Sequence, residues 1–320
     1  MGPSPLIQVE ELASLLAGPD TDAPDRPVVL DVRYRMAGAT GRREFERAHI
    51  PGASYVDLDT ELATIRSDGV GGRHPMPTPQ VFTAAMRAAG VTMSRPVVAY
   101  DDWASLPASR LWWMLRHYGF LDVRVLDGGL SAWTAAKAPT ESGLCATGAG
   151  DFSPASPGVG RLLDATGATE YAVRHLLLDA RSPDRFRGEN ETIDPVAGHI
   201  PGAISAPALA AVDASGRFLP AGQLARRFQR LGLSDATDTI GPSTISHTTG
   251  TRNARAASDA SGEAVSRIVG TYCGSGVQAT HLALALSIAD ISDDAAVYMG
   301  SWSDWITGPE RPVETGPAEA

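Results

Sequence analysis

The sequence states one pattern twice. Leu30-Asp31-Val32-Arg33 returns as Leu178-Asp179-Ala180-Arg181, with Asp31 and Asp179 lying 148 residues apart. Ala48-His49-Ile50-Pro51-Gly52-Ala53 returns as Gly198-His199-Ile200-Pro201-Gly202-Ala203, an offset of 150. Val98-Ala99-Tyr100-Asp101 matches Gly270-Thr271-Tyr272-Cys273, and Gly128 to Trp133 matches Gly300 to Trp305, both at an offset of 172. Matches kept in one order imply a duplicated unit, and each copy must bury its own core. A chain of 320 residues supplies two domains of ordinary size. The rise in offset from 150 to 172 puts about 22 extra residues in the second copy, between Ala203 and Tyr272.

Those residues fall naturally at about 239–266, a stretch rich in Ser, Thr, Ala and Gly without an aromatic residue. With no strand or helix period it reads as a mobile polar loop. An inert insertion is the plainer reading; an active-site lid or partner contact is the alternative. A polar stretch beginning at Ala138 reads as a linker over 141–160, between a first domain at 1–140 and a second at 161–310.

Within each copy, short β-branched runs alternate with helical patterns. Pro27 to Leu30, Pro96 to Ala99 and Val123 to Leu126 read as buried strands. Thr78 as N-cap and Pro79 at the first turn open a helix that Gly90 closes, with Val81, Phe82, Ala85, Met86 and Ala89 on its apolar face. Alternating strand and helix predict an α/β fold, each domain a parallel sheet flanked by helices. Trp112, Trp113 and Trp133 fit the first core, Trp302 and Trp305 the second. His49 and His199 hold equivalent places in the two copies, which predicts a structural role in a turn.

A formal charge of −10 argues against nucleic acid, because phosphate binding needs a basic face. No apolar run approaches the roughly 18 residues of a membrane span, and the N-terminus lacks the basic and apolar regions of a secretory signal. A cytoplasmic protein is therefore expected. Two cysteines, Cys145 and Cys273, cannot build a disulfide framework or a cysteine-rich zinc site.

Cys273 has the telling surroundings. A strand ends there, the loop Gly274-Ser275-Gly276-Val277 follows, and a helix is expected from near Gln278. Ligands bind at this place in open α/β sheets, beyond the carboxyl end of a strand. Gly274 and Gly276 permit positive φ, so successive N–H groups can curl toward one point. Those donors and the positive end of the helix favour a thiolate, the nucleophilic form. A Cys-x5-Arg phosphatase would need arginine at 279 to clamp the phosphoryl oxygens, and Ala279 stands there.

The duplicated unit, the His-Ile-Pro-Gly-Ala segments and the Cys-Gly-Ser-Gly-Val loop resemble tandem-domain sulfurtransferases of the rhodanese superfamily. Within it they are most similar to 3-mercaptopyruvate sulfurtransferases. The resemblance implies two rhodanese-like domains, the second catalytic, with Asp101 marking the first as degenerate. It implies transfer of sulfur from 3-mercaptopyruvate through a Cys273 persulfide to a thiol such as thioredoxin, or to cyanide. The cysteine itself carries the group, so no metal or organic cofactor is implied. Family members preferring thiosulfate usually carry Arg and Lys after the cysteine, where this chain has Gly274 and Ser275. The resemblance further assigns His74 and Asp59 to work with Ser275, although Asp57 lies close by. It assigns Arg185 to the substrate carboxylate, with Gly274, Gly276, Val277 and Gln278 lining the site. Two positions depart from the pattern: Asp194 replaces a second arginine, and Gln278 replaces a threonine. A thiosulfate sulfurtransferase is the rival reading, and a non-catalytic sulfur-carrier or binding module a more distant one.

Overall fold

The computed structural model describes residues 4–18, 23–36, 41–64, 66, 68–144, 148–155, 158–233 and 268–317. The expected insertion at 239–266 and Cys145 lie outside the described residues. The first domain runs β1 (Leu6–Ile7), α1 (Val9–Leu16), β2 (Val28–Asp31), α2 (Gly41–Arg47), β3 (Ser54–Tyr55), α3 (Pro79–Ala88), β4 (Val97–Tyr100), α4 (Leu106–His117), β5 (Val123–Leu126) and α5 (Gly129–Ala135). The second runs β6 (Leu162–Leu163), α6 (Ala165–Arg174), β7 (Leu176–Asp179), α7 (Pro183–Arg187), β8 (Ile204–Ser205), a 3-10 turn (Ala208–Ala211), α8 (Ala221–Arg230), β9 (Val269–Tyr272), α9 (Val277–Ile288), β10 (Ala296–Tyr298) and α10 (Ser301–Trp305).

Each domain holds one five-stranded parallel sheet. The orders are β1-β5-β4-β2-β3 and β6-β10-β9-β7-β8, so the copies share one topology. Strands such as Val-Val-Leu-Asp in β2 and Val-Val-Ala-Tyr in β4 are buried on both faces, as central parallel strands must be. Their side chains alternate by two. Val28 and Leu30 join a central apolar cluster, while Val29 turns outward to Phe45 and Trp133.

The repeated motifs hold each other in place. Asp31 at the end of β2 accepts from Arg33 Nε at 2.9 Å, and Arg33 Nη2 donates to the Ala48 carbonyl at 2.7 Å. Asp179, Arg181 and the Gly198 carbonyl repeat this set. The Tyr100 and Tyr272 hydroxyls accept from the N–H of Ile50 and Ile200, at 3.2 and 3.1 Å. His49 and His199 stack on Phe45 and Phe186 and hydrogen-bond their carbonyls at 2.7 and 2.8 Å. The duplicated histidines thus hold a turn, as their symmetry predicted.

The central cluster spans both domains. It joins Val28, Leu30, Val97 and Ala99 of the first sheet to Leu178 and Val269 of the second, through α4 and α9. Residues Leu106 to Leu115 of α4 are all buried, as are Val277 and Ala279 to Leu286 of α9. A helix buried on nearly every side belongs inside a protein, and here the two lie between the sheets. Each buried leucine of α9 contributes about 1.5–3 kcal/mol. All five tryptophans expected in the core are buried, with Trp133 on the outer face of its sheet. On α3 the expected face is correct except for Val81, which is 38% exposed at the first turn. No helix among the described residues is long and apolar enough to cross a membrane.

Candidate active site

β9 delivers Cys273 to the carboxyl end of the second sheet, where only 1% of its surface is exposed. Gly276, at φ +85°, reverses the chain so that α9 starts at Val277, one residue earlier than expected. The N–H groups of Ser275 and Gly276 point at Cys273 Sγ, at 3.4 and 3.1 Å. Oriented N–H donors of this kind favour the thiolate.

Gly274 departs from its expectation. It has no positive φ, and its role is spatial: a Cβ there would lie 2.8 Å from Arg73 Nη2 and 3.5 Å from Arg185 Nη1.

The start of α10 holds the loop from the other side. The N–H groups of Trp302 and Ser303 donate to the carbonyls of Cys273 and Gly274, at 2.9 and 3.0 Å. Ser301 Oγ accepts the Cys273 N–H at 3.0 Å and lies 3.9 Å from the sulfur.

The first domain keeps the same nest with a different occupant. Asp101 accepts from the N–H of Trp103, Ser105 and Ala108 at 2.7, 3.0 and 2.9 Å. Burial pushes its carboxyl up to about 6, against the pull of those three donors. A carboxylate is no sulfur nucleophile, so of these two nests the one after β9 presents a thiol.

Across the domain interface, His74 reaches the loop. Its Nδ1 lies 2.9 Å from Ser275 Oγ, and its Nε2 lies 3.2 Å from Asp59 Oδ1. Burial holds the imidazole below its ordinary range, although Asp59 pulls the other way, and Arg110 and Arg73 push it further down. A neutral ring with its proton on Nε2 faces the carboxylate and leaves Nδ1 to accept the Ser275 hydroxyl. The choice between the two aspartates follows from geometry. Asp57 accepts from the N–H groups of Asp59 and Thr60 in a turn, whereas Asp59 faces His74.

Arg185, on α7, lies beside the loop at Gly274, paired with Glu191 and Asp194 at 2.9 Å each. The buried Asp194 also pairs with Arg73 of the first domain. The residue that departed from the family pattern thus anchors two guanidinium groups against Gly274. Val277 is buried in the central cluster with Cys273, and Gln278 is half-buried in the first turn of α9.

Sequence reasoning missed Tyr34, whose ring meets His74 edge-on at 5.9 Å, as well as Arg73, Arg110 and Ser301. Ser301 left a signal: the 172-residue offset pairs it with Gly129, so only one copy has a side chain there.

Two sister α/β domains, one with a thiol in an N–H nest and one with a carboxylate, define a duplicated protein specialised for cysteine chemistry. The chain belongs to the rhodanese-like domain family, whose model matches it over residues 8–136 and again over 158–307. It is 39% identical to the "Probable 3-mercaptopyruvate sulfurtransferase" of Pseudomonas aeruginosa, over 99% of this chain and 100% of that one. It is 36% identical to the "Putative thiosulfate sulfurtransferase SseB" of Mycobacterium tuberculosis, over 98% of each. The solved structure of the 3-mercaptopyruvate sulfotransferase SseA from Escherichia coli superposes with a TM-score of 0.72 at 25% identity, covering 93% of this chain and 98% of that one.

Proposed function

We propose that this chain, a sulfurtransferase by family, takes sulfur from 3-mercaptopyruvate onto Cys273 and passes it to a thiol or to cyanide. The Cys273 thiolate attacks the donor sulfur, forming an S–S bond while the carbon–sulfur bond breaks. The electron pair leaves with pyruvate as its enolate, which is then protonated. An acceptor thiolate attacks the outer sulfur of the persulfide and returns Cys273 as thiolate. Nothing is oxidised or reduced beyond this exchange, so the chain's own residues suffice.

The observation that carries the reading is the Ser275–His74–Asp59 chain, at 2.9 and 3.2 Å, beside the sulfur. Its hydroxyl can polarise a carbonyl or give a proton to the enolate, with the imidazole behind it. Thiosulfate has neither carbonyl nor enolate. Arg185, beside Gly274, receives the donor's carboxylate in a guanidinium fork, with Gly276, Val277 and Gln278 as the further residues lining the site. The first domain, with Asp101 in its nest, serves as a non-catalytic partner that lends His74 and Asp59. We place the enzyme in the cytoplasm, where a dithiol protein such as thioredoxin supplies the acceptor.

Thiosulfate is the second reading, favoured by the guanidinium pair at Gly274, which suits a dianion as well. One set of variants decides. Cys273→Ser is expected to abolish turnover and the one-sulfur mass gain on incubation with donor. Ser275→Ala is expected to cost about 10²-fold or more in kcat/KM with mercaptopyruvate and far less with thiosulfate. Equal losses on both donors would remove the proposed role of Ser275, and turnover by Cys273→Ser would sink the mechanism.

A further inference from the structure

Arg110, on α4 of the first domain, is a fully buried guanidinium with no carboxylate within ion-pairing distance among the described residues. Its Nε donates to the Leu62 carbonyl at 3.0 Å, and its Nη2 donates to the carbonyls of Leu62 and His74, both at 2.8 Å. Its Nη1 crosses the interface to Met299 Sδ at 3.0 Å and approaches the Ser275 carbonyl at 3.5 Å. A Cβ added at Gly276 would lie 3.1 Å from Nη1, so the guanidinium sits directly against the turn whose N–H groups hold Cys273.

A buried charge met by carbonyls and a thioether, with no carboxylate beside it, is costly to take from water. Other buried arginines of this chain are neutralised: Arg33 by Asp31, and Arg181 by Asp179. Burial holds the Arg110 guanidinium down to about 10, with Cys273 and Asp59 pulling it back up. The remaining charges at the loop, Arg73, Arg185, Glu191 and Asp194, pair among themselves beside Gly274. Arg110 instead meets the loop at Ser275 and Gly276, and burial keeps the neighbouring His74 imidazole below its ordinary range.

We infer that Arg110 is a positioning residue that serves as counter-charge to the Cys273 thiolate and ties the His74 segment to the Ser275 loop. The inference rests on Cys273 as nucleophile. The charge keeps the thiolate populated within a buried nest, and the donor fork sets the His74–Ser275 register. The first domain thus contributes to the nucleophile itself as well as to the leaving group.

Charge and fork separate by substitution. Arg110→Met removes both, Arg110→Gln removes the charge and keeps an amide donor, and Arg110→Lys keeps the charge alone. The readout is the ultraviolet thiolate band against pH, taken as the difference between each variant and the same variant carrying Cys273→Ser. No sulfur donor is present, so failure of the functional reading and failure of this inference are distinguishable. Met and Gln are expected to move thiolate formation up by about one pH unit or more, and Lys to restore it to within a few tenths. The profile of kcat/KM against pH moves with the band. If Met fails to fold, the comparison of Gln with Lys stands alone. A folded Gln or Met variant with an unmoved thiolate profile overturns the inference, as does a Lys variant displaced as far as Gln.

Discussion

Ser301 carries an unfavourable backbone for the sake of one hydroxyl. Its φ of +55° lies in the left-handed region, a conformation costing a non-glycine residue about 1–2 kcal/mol. The matching residue of the first domain, Gly129, adopts φ +56°. What the serine supplies is an acceptor for the buried Cys273 N–H, at 3.0 Å, while it donates to the Tyr298 carbonyl at 2.8 Å. Ser301→Ala keeps the strain and strands that N–H, so it is expected to destabilise by about 1–3 kcal/mol. Ser301→Gly strands the same N–H but relieves the strain, so it should fall nearer the parent. Urea unfolding of the three proteins checks the order. An alanine variant as stable as the parent would mean that the hydroxyl contributes nothing.

At the scale of elements, the β9–loop–α9 unit shows what a sequence reveals and what it hides. Strand ends, the capped start of α3 and the place of Cys273 are written in contiguous residues, each set by local backbone chemistry. Arg73 and Arg110 left no such trace: Asp194, which pairs with Arg73, lies in the other domain, and Arg110 meets main-chain carbonyls of Leu62, His74 and Ser275 far from it in sequence. Ser275, His74 and Asp59 came from the family resemblance, since neither spacing nor periodicity links positions so far apart. The two loop glycines looked alike in sequence and differ in structure. Gly276 needs its positive φ, and a Cβ would meet the Met299 carbonyl at 2.4 Å. Gly274 needs only room for Arg73 Nη2. Gly276→Ala is therefore expected to destabilise the fold by about 1 kcal/mol or more. Gly274→Ala should leave thermal unfolding nearly unchanged and raise KM for an anionic donor several-fold by displacing a guanidinium. Thermal melts and donor kinetics on both variants test the split; a Gly274→Ala enzyme with unaltered KM would detach Arg73 from donor binding.

On the scale of the whole molecule, the domains share one apolar cluster, and the interface is therefore sensitive to any charge formed inside it. His281 of α9 is such a site. It is fully buried, stacks on Phe218 at 4.6 Å, and the main chain of Ala104 from the first domain approaches it without a full hydrogen bond. Phe218 is itself tied to the first domain by its N–H to Asp127, at 2.9 Å. Burial holds the imidazole down to about 3, with Arg227 adding to the effect and Ala104 opposing it. In the unfolded chain the ring takes up a proton near pH 6.5, while the folded protein refuses it until about pH 3. Between those limits the unfolded state binds more protons, so stability falls as pH falls through that window. Asp101 opposes this over a narrower range, because its folded carboxyl, near 6, takes a proton before the unfolded one at 3.8. His281→Phe keeps the stacking on Phe218 and removes the titration. The variant is expected to unfold at a lower pH than the parent while matching its relative stability near pH 8. Acid titrations followed by tryptophan fluorescence, with buried Trp112 and Trp113 as reporters, measure both midpoints. Coincident acid midpoints would assign the loss to other groups, whereas a downward shift ties the acid limit of the shared core to a single ring.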